Sequence, residues 1–271
     1  MIEWDKVLTE DELQTAEILR FKIIDQKYID LTRQSGEINF GCAEIYAKPP
    51  SDFSKGNYDK DEGLFARVSK DNHKYIKEQE DKYKHDLIKI ENGKLIDLKL
   101  YSVMNIPTFC YYALFADDPE INYSVEQIVN EEATLHKLVI PFGNKIINDF
   151  SNGPFGIVWF QNNDDFYSSI KLTLGRENIF SILSKRIEYV DRIDKEWICP
   201  DDHPMELFYK DDSFSYQKEK RLIITDEIAN FSASKVKNKV VKINISKENV
   251  YEVKSSSLEI AINYYTKLYE S

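Results

Sequence analysis

The sequence predicts an α+β fold: one domain over residues 1–271, built from mixed and antiparallel sheets with flanking helices, in which residues 66–140 read as an insertion. Three observations predict it. Apolar runs of strand length, such as residues 109–115 and 153–160 (GPFGIVWF), recur between stretches of turn composition. Asn92-Gly93 lies between two alternating segments, the short-range signature of a hairpin. Residues 164–174 instead place Phe166, Ile170 and Leu174 on one helical face. The sequence holds no internal repeat, low-complexity tract or linker, hence a single domain.

Taken in order, Thr9 followed by Glu12 makes a capping box, in which a hydroxyl and a carboxylate satisfy the orphan amides of a helix start. That helix would carry Leu13, Ala16 and Glu17. Residues 18–24, which hold Arg20 and Phe21, read either as its continuation or as the first strand. A short helix over 28–32 leads to a turn at Ser35-Gly36. Ile38, Phe40 and Cys42 then alternate with small or polar neighbours, a strand with one buried face. Pro49-Pro50 closes this unit, and residues 51–63 (SDFSKGNYDKDEG) have loop composition.

Residues 70–99 begin weakly helical and alternate from Leu95 onward, so the hairpin is expected over 86–99. Residues 109–115, bounded by Pro107 and Pro119, read as a buried central strand. Ser124 caps a predicted helix over 123–132, and 145–150 reads as another. Further strands are expected at 153–160, 187–190, 222–225, 239–245 and 249–253. A last helix, capped by Ser256-Ser257, would align Leu258, Ile262, Tyr265 and Tyr269.

Composition bounds the function. The 47 Asp+Glu against 36 Lys+Arg give a formal charge of -11, which argues against nucleic-acid binding over the whole surface, because neutralising phosphates needs clustered bases. A local basic site stays open. Residues 1–50 hold 10 acids and 6 bases and residues 101–150 hold 7 and 2, so these two stretches account for -9 of the -11. Acidic solvated faces explain that pattern. Cys42, Cys110 and Cys199 are odd in number and far apart, which implies no disulfide framework and suits a reducing, cytoplasmic setting. No secretory signal is expected from the acidic first twelve residues, and no apolar run approaches the roughly 20 residues that span a bilayer.

Among chemistry-bearing patterns, metals are the easiest to set aside. Cys199 and His203 offer two ligands where a structural zinc needs four. No GxSxG elbow, GxGxxG or GxxxxGK run is present. The best local signal is Tyr216-Gln217-Lys218-Glu219-Lys220-Arg221. On a strand, Gln217 and Glu219 share a face, and a carboxylate beside an amide can bind a ribose hydroxyl and stabilise positive charge at its anomeric carbon. The plainer reading is a surface strand on which Glu219 pairs with Arg221 or a cross-strand lysine. Arg20, between Leu19 and Phe21, is oddly placed for a charge unless it meets a carboxylate or clamps an anion such as pyrophosphate. It also reads as a snorkelling arginine. Phe40, Tyr46, Phe53 and Tyr58 surround the acidic loop Asp59, Asp61 and Glu62, where aromatics either sandwich a flat ring or pack a core. Lys235, Lys237, Lys239 and Lys242 form a basic stripe that suits a protected sheet edge.

In order, Leu19-Arg20-Phe21, the run 35–41 (SGEINFG), Asp59…Glu62-Gly63, GPFGIVWF, Lys210…Phe214 through Leu222 and Val250-Tyr251-Glu252-Val253 resemble a diverse group of bacterial and phage proteins. That group includes abortive-phage-infection proteins of the lactococcal type. The arrangement is similar, more distantly, to the ADP-ribosyltransferase fold. The resemblance implies a cytoplasmic, phage-defence protein with NAD as its substrate. Arg20 would contact the NAD phosphates, with Phe40, Tyr46 and Phe53 beside the ligand. Glu219 would be catalytic and Gln217 would orient the acceptor. The alternatives are a non-catalytic interaction protein, such as an antitoxin or phage-interference partner with acidic faces turned to a basic partner, and an RNA-targeting toxin using the lysine stripe. The two readings of Glu219 part on whether Arg20 and Glu219 face one cleft.

Overall fold

The computed structural model describes residues 2–8, 17–47, 58–115, 118, 124–130, 133–142, 155–160, 163–175, 181–225, 240–242, 250–253 and 258–267. In chain order its strands begin with β1 (Ile2–Leu8), β2 (Glu17–Asp25), β3 (Glu37–Asn39), β4 (Gly41–Cys42), β5 (Leu64–Ser69), β6 (Leu87–Asn92), β7 (Leu95–Leu100) and β8 (Pro107–Phe115). There follow β9 (Ser124–Asn130), β10 (Ala133–Phe142), β11 (Phe155–Trp159), β12 (Ser181–Arg186), β13 (Glu188–Val190), β14 (Trp197–Ile198), β15 (Tyr209–Asp211) and β16 (Glu219–Thr225), then β17 (Val240–Lys242), β18 (Val250–Val253) and β19 (Leu258–Lys267). The α-helices are α1 (Ile29–Ser35), α2 (Ala43–Tyr46), α3 (His73–Tyr83), α4 (Tyr101–Met104) and α5 (Asn163–Gly175).

A seven-stranded antiparallel sheet runs β12-β16-β8-β2-β11-β18, with β4 also on β8. Its centre is β8, nine residues rich in aromatic side chains that start at a proline, a tolerated first position of a strand. The stretch expected as an insertion therefore supplies the middle of the main sheet. Because side chains alternate across a strand, this sheet has two distinct faces. One carries Phe109, Tyr111, Ala113, Val158, Phe160, Leu222 and Ile224 against Phe166 and Ile170 of α5; we call it the helix face. The other carries Ile223 against Ile187, Leu207, Phe208 and the buried side of a four-stranded sheet, β14-β5-β7-β6, with Phe65, Ala66, Val68, Leu98 and Leu100; we call it the small-sheet face. Burying each large apolar side chain in these cores contributes about 1.5–3 kcal/mol.

The β6–β7 hairpin forms where expected, but its two-residue loop is Gly93-Lys94, since Asn92 pairs with Leu95. Gly93 has φ 59 and Lys94 no positive φ, the pattern of a type II′ turn. The helices near 28–32 and 164–174 and the strands near 109–115, 153–160 and 222–225 are present. Leu174's side chain lies outside the described residues.

Several expectations are corrected. Glu17 opens strand β2 rather than closing a helix, and the 38–42 strand is split at Phe40 into β3 and β4. The helix expected over 123–132 is β9, paired with β10, and the helix expected after Ser257 is β19. In β19 a period of two (Leu258, Ile260, Ile262, Tyr264) competes with the helical stripe, and ten backbone pairings to β10 favour it. The Thr9 capping box and residues 145–150 lie outside the described residues. No helix among the described residues is long and apolar enough to cross a membrane.

Candidate functional site

Strand register decides where the predicted site residues point. Arg20 pairs with Ala113 and Glu219 with Tyr112, consecutive residues of β8. Consecutive side chains leave opposite faces, so Arg20 projects to the helix face and Glu219 to the small-sheet face. Their surroundings agree. The Arg20 guanidinium lies 5.7 Å from the Phe166 ring and 5.8 Å from that of Tyr167, both on α5. Glu219 meets Lys210 of β15 and Arg221, and Arg221 in turn binds Glu62 of the Asp59–Glu62 turn. The arginine and the glutamate expected to share one ligand are separated by the sheet itself.

Around Glu219, on the small-sheet face, charges saturate one another. Glu219 is buried, and its Oε1 accepts from Arg221 Nε at 3.0 Å and Nη2 at 2.6 Å. Its Oε2 accepts from Lys210 Nζ at 3.1 Å, while Lys210 also donates to Gln217 Oε1 at 2.7 Å. Gln217 and Glu219 thus do converge, through a lysine. Gln217 is not on the strand: it ends the 3₁₀ turn Asp212–Gln217, and Lys218 with φ 43 reverses the chain into β16. Arg221 further binds both oxygens of Glu62 and the carbonyl of Leu207. The Glu219 amide donates to Tyr189 Oη at 2.9 Å. Burial alone would raise the pKa of the Glu219 carboxyl, but the charges of Arg221 and Lys210 hold it well below the usual carboxylate range. It stays ionised and fully engaged, a poor acid or base.

The same face continues into a second set. Arg67 uses both ends of its fork, Nε and Nη2 on Asp97 at 2.5 and 2.8 Å, and Nη2 and Nη1 on Asp61 at 2.7 and 3.2 Å. Arg192 donates to the Asp61 carbonyl at 3.2 Å and stands 3.8 Å from Asp59, and here the pairing is incomplete, since Arg192 Nε and Nη1 and Asp59 Oδ2 have no hydrogen-bond partner. Burial and the neighbouring Glu62 raise the Asp59 pKa. The acidic loop therefore buries Asp59, Asp61 and Glu62, because three arginines and two lysines from β5, β7, β15, β16 and the β13–β14 link enclose it.

The helix face is different. Glu17 accepts from Arg20 Nε at 2.5 Å and from Lys220 Nζ at 2.7 Å, two cations on one carboxylate. Arg20 is 2 % exposed, yet its Nη1 has no hydrogen-bond partner. Lys220 stands 5.7 Å from the Tyr167 ring and 5.5 Å from that of Phe115, which Arg186 also covers at 3.2 Å. Arg186 and Lys218 share Asp118, at 3.9 and 3.8 Å. Tyr111 and Tyr167 join their hydroxyls at 2.9 Å beside this corner. Among the described residues the corner holds four bases against two acids, in a chain of charge -11.

The aromatic set expected beside a ligand is divided. Phe40 is core on the helix face, 5.4 Å from Phe109. Tyr46 ends α2 over Gly41, where an added Cβ would lie 2.3 Å from its Oη. Burial raises the Tyr46 hydroxyl pKa well above its ordinary value, with Arg221, Glu219 and Glu62 as charged neighbours, so Tyr46 belongs with the Glu219 network. Phe53 lies outside the described residues, as do Lys235, Lys237 and Lys239. No group of three metal-ligating side chains occurs among the described residues. Sequence reasoning does not find Lys210 as the partner of Glu219 or Glu62 as the partner of Arg221. The signal is present for Lys210, a charge closing the apolar run Leu207-Phe208-Tyr209, and for Arg67, between Leu64-Phe65-Ala66 and Val68. Compared with protein-family models, with curated proteins and with solved structures, the chain returned no match.

Proposed function

We propose that this chain binds the phosphates of a nucleotide of the NAD class at Arg20 on the helix face, and that Glu219 does not turn that nucleotide over. The observation that carries the reading is the unpartnered Nη1 of Arg20, at 2 % exposure. A buried donor left unbonded costs about 1–3 kcal/mol, and a phosphate oxygen is the acceptor a guanidinium takes most readily. The excess of bases around Glu17 and Asp118 would favour an anion there. A phage-defence setting and the ADP-ribosyltransferase-like core are supported by the sequence resemblance, and the cytoplasmic setting by the cysteine usage as well. Transfer of ADP-ribose through Glu219 has less support, since both of its oxygens are engaged on the opposite face. The saturation of Glu219 favours a second reading, a non-catalytic interaction protein, to which nucleotide binding would act as a signal.

Calorimetric titration with NAD, ADP-ribose and inorganic pyrophosphate tests this. All three should bind, and Arg20→Lys, which keeps a cation on Glu17, should weaken binding about tenfold, or 1.4 kcal/mol. Glu219→Gln should bind as the wild type does, with no nicotinamide released in either. Equal affinities for wild type and Arg20→Lys would overturn the assignment. Nicotinamide release lost in Glu219→Gln would restore the enzymatic reading.

A further inference from the structure

A third polar constellation lies outside both faces' networks and uses residues with no part in the reading above. Tyr83 closes α3, His203 precedes the 3₁₀ turn Met205–Phe208, and Glu206 sits within that turn. Tyr83 Oη is 2.8 Å from His203 Nε2, and His203 Nδ1 is 2.6 Å from Glu206 Oε1. Glu206 is fully buried, and its Oε2 has no hydrogen-bond partner. The His203 side chain keeps 29 % exposure, and Tyr83 is half-buried, so the outer end of the chain is open to solvent. Phe65, buried, presents its ring edge-on to His203 at 5.1 Å and to Tyr83 at 5.8 Å, which holds both rings in place.

The chemistry of the three groups sets their order. A carboxylate only accepts hydrogen bonds, so Nδ1 carries the proton that faces Glu206. In the neutral imidazole Nε2 is then a lone pair, and the Tyr83 hydroxyl donates to it. Hydroxyl, imidazole and buried carboxylate in this sequence make a nucleophile, its base and the group that orients the base.

We propose that Tyr83 is an activated nucleophile toward acyl electrophiles such as activated esters, with His203 as its general base and Glu206 as a positioning residue. In the step, Tyr83 Oη bonds to the acyl carbon as its proton passes to His203 Nε2. The carbon–oxygen bond to the leaving group then breaks, and Nε2 returns the proton to that group, leaving an acyl-tyrosine. No electron changes hands.

The test treats the full chain with p-nitrophenyl acetate and maps acetylation by peptide mass spectrometry. Tyr101, 56 % exposed, is the internal reference for a phenol without a base. General-base assistance is worth about 10²–10⁴-fold, so Tyr83 should be acetylated at least about tenfold faster than Tyr101. His203→Gln and Glu206→Gln should each lower that ratio at least about tenfold while Tyr101 keeps its rate, and Tyr83→Phe should lose the label alone. The wild-type ratio needs no variant, so a misfolded substitution leaves the proposal testable. A ratio near one, or a Tyr83 rate unchanged in a folded His203→Gln or Glu206→Gln, would overturn it. Neither outcome bears on nucleotide binding at Arg20.

Discussion

The two faces of the central sheet use the same residue types to opposite ends. On the small-sheet face, Arg221, Lys210 and Arg67 meet Glu219, Glu62, Asp61 and Asp97 in pairings that use nearly every donor and oxygen. On the helix face, Arg20 and Lys220 share one carboxylate, and a guanidinium nitrogen is left over. The lesson is that burial of a charge says little about function until its partners are counted. A saturated network fixes how two layers dock, whereas an unsaturated cation among aromatic rings has room for one more partner.

The largest test of this contrast removes a guanidinium from the saturated side. Arg221→Met leaves Glu219 and Glu62 buried without their main partner, and such a loss costs about 3–5 kcal/mol; urea denaturation should show it as a large fall in midpoint. A smaller effect lies in the pH dependence. The Glu219 carboxyl is held below its ordinary value in the folded chain, so the stability it contributes is present above the unfolded carboxylate range and lost as pH falls below about 4. Glu219→Gln should therefore unfold with a shallower acid dependence than the wild type. Asp59 has the opposite sign. Its folded value is raised, so wild-type stability relative to Asp59→Asn should fall as pH rises through the range just above about 4, and parallel curves would show that its burial is relieved. The smallest effect is expected at Lys220→Met, because Arg20 still pairs with Glu17; a change of about 1 kcal/mol or less is expected. Equal losses at Arg221 and Lys220 would erase the distinction between the faces.

Much of the scaffold was legible because local chemistry decides it. Asn92-Gly93 marked the hairpin, Phe109 to Phe115 the central strand, and Phe166 with Ile170 the inner face of α5. Where two periods fit the same residues, as at 124–130 and 258–267, the partner strand decided, and a single sequence does not reveal it. The site was legible as residue types but not as geometry. Glu219 and Arg221 could be paired from their spacing of two. Whether Arg20 stands beside Glu219 or behind it depends on a one-residue offset along β8, which follows from long-range register. The burial of the acids at 59–62 is not legible locally because their counter-charges come from positions up to 159 residues away.

The place of β8 in the sheet also bears on how the chain is made. Its edge toward β2, β4 and their neighbours can close as soon as it is synthesised, but the opposite edge waits for β16, about 100 residues later. At ribosomal rates of about 5–20 residues per second, that apolar, aromatic edge stays open for about 5–20 s. Glu62 waits longer still for Arg221, which follows it by 159 residues. A nascent chain in this interval presents a flat unpaired strand beside uncompensated carboxylates. It is a natural client for a chaperone, and substitutions that slow synthesis between β8 and β16 should lower soluble yield more than they lower the stability of the finished protein.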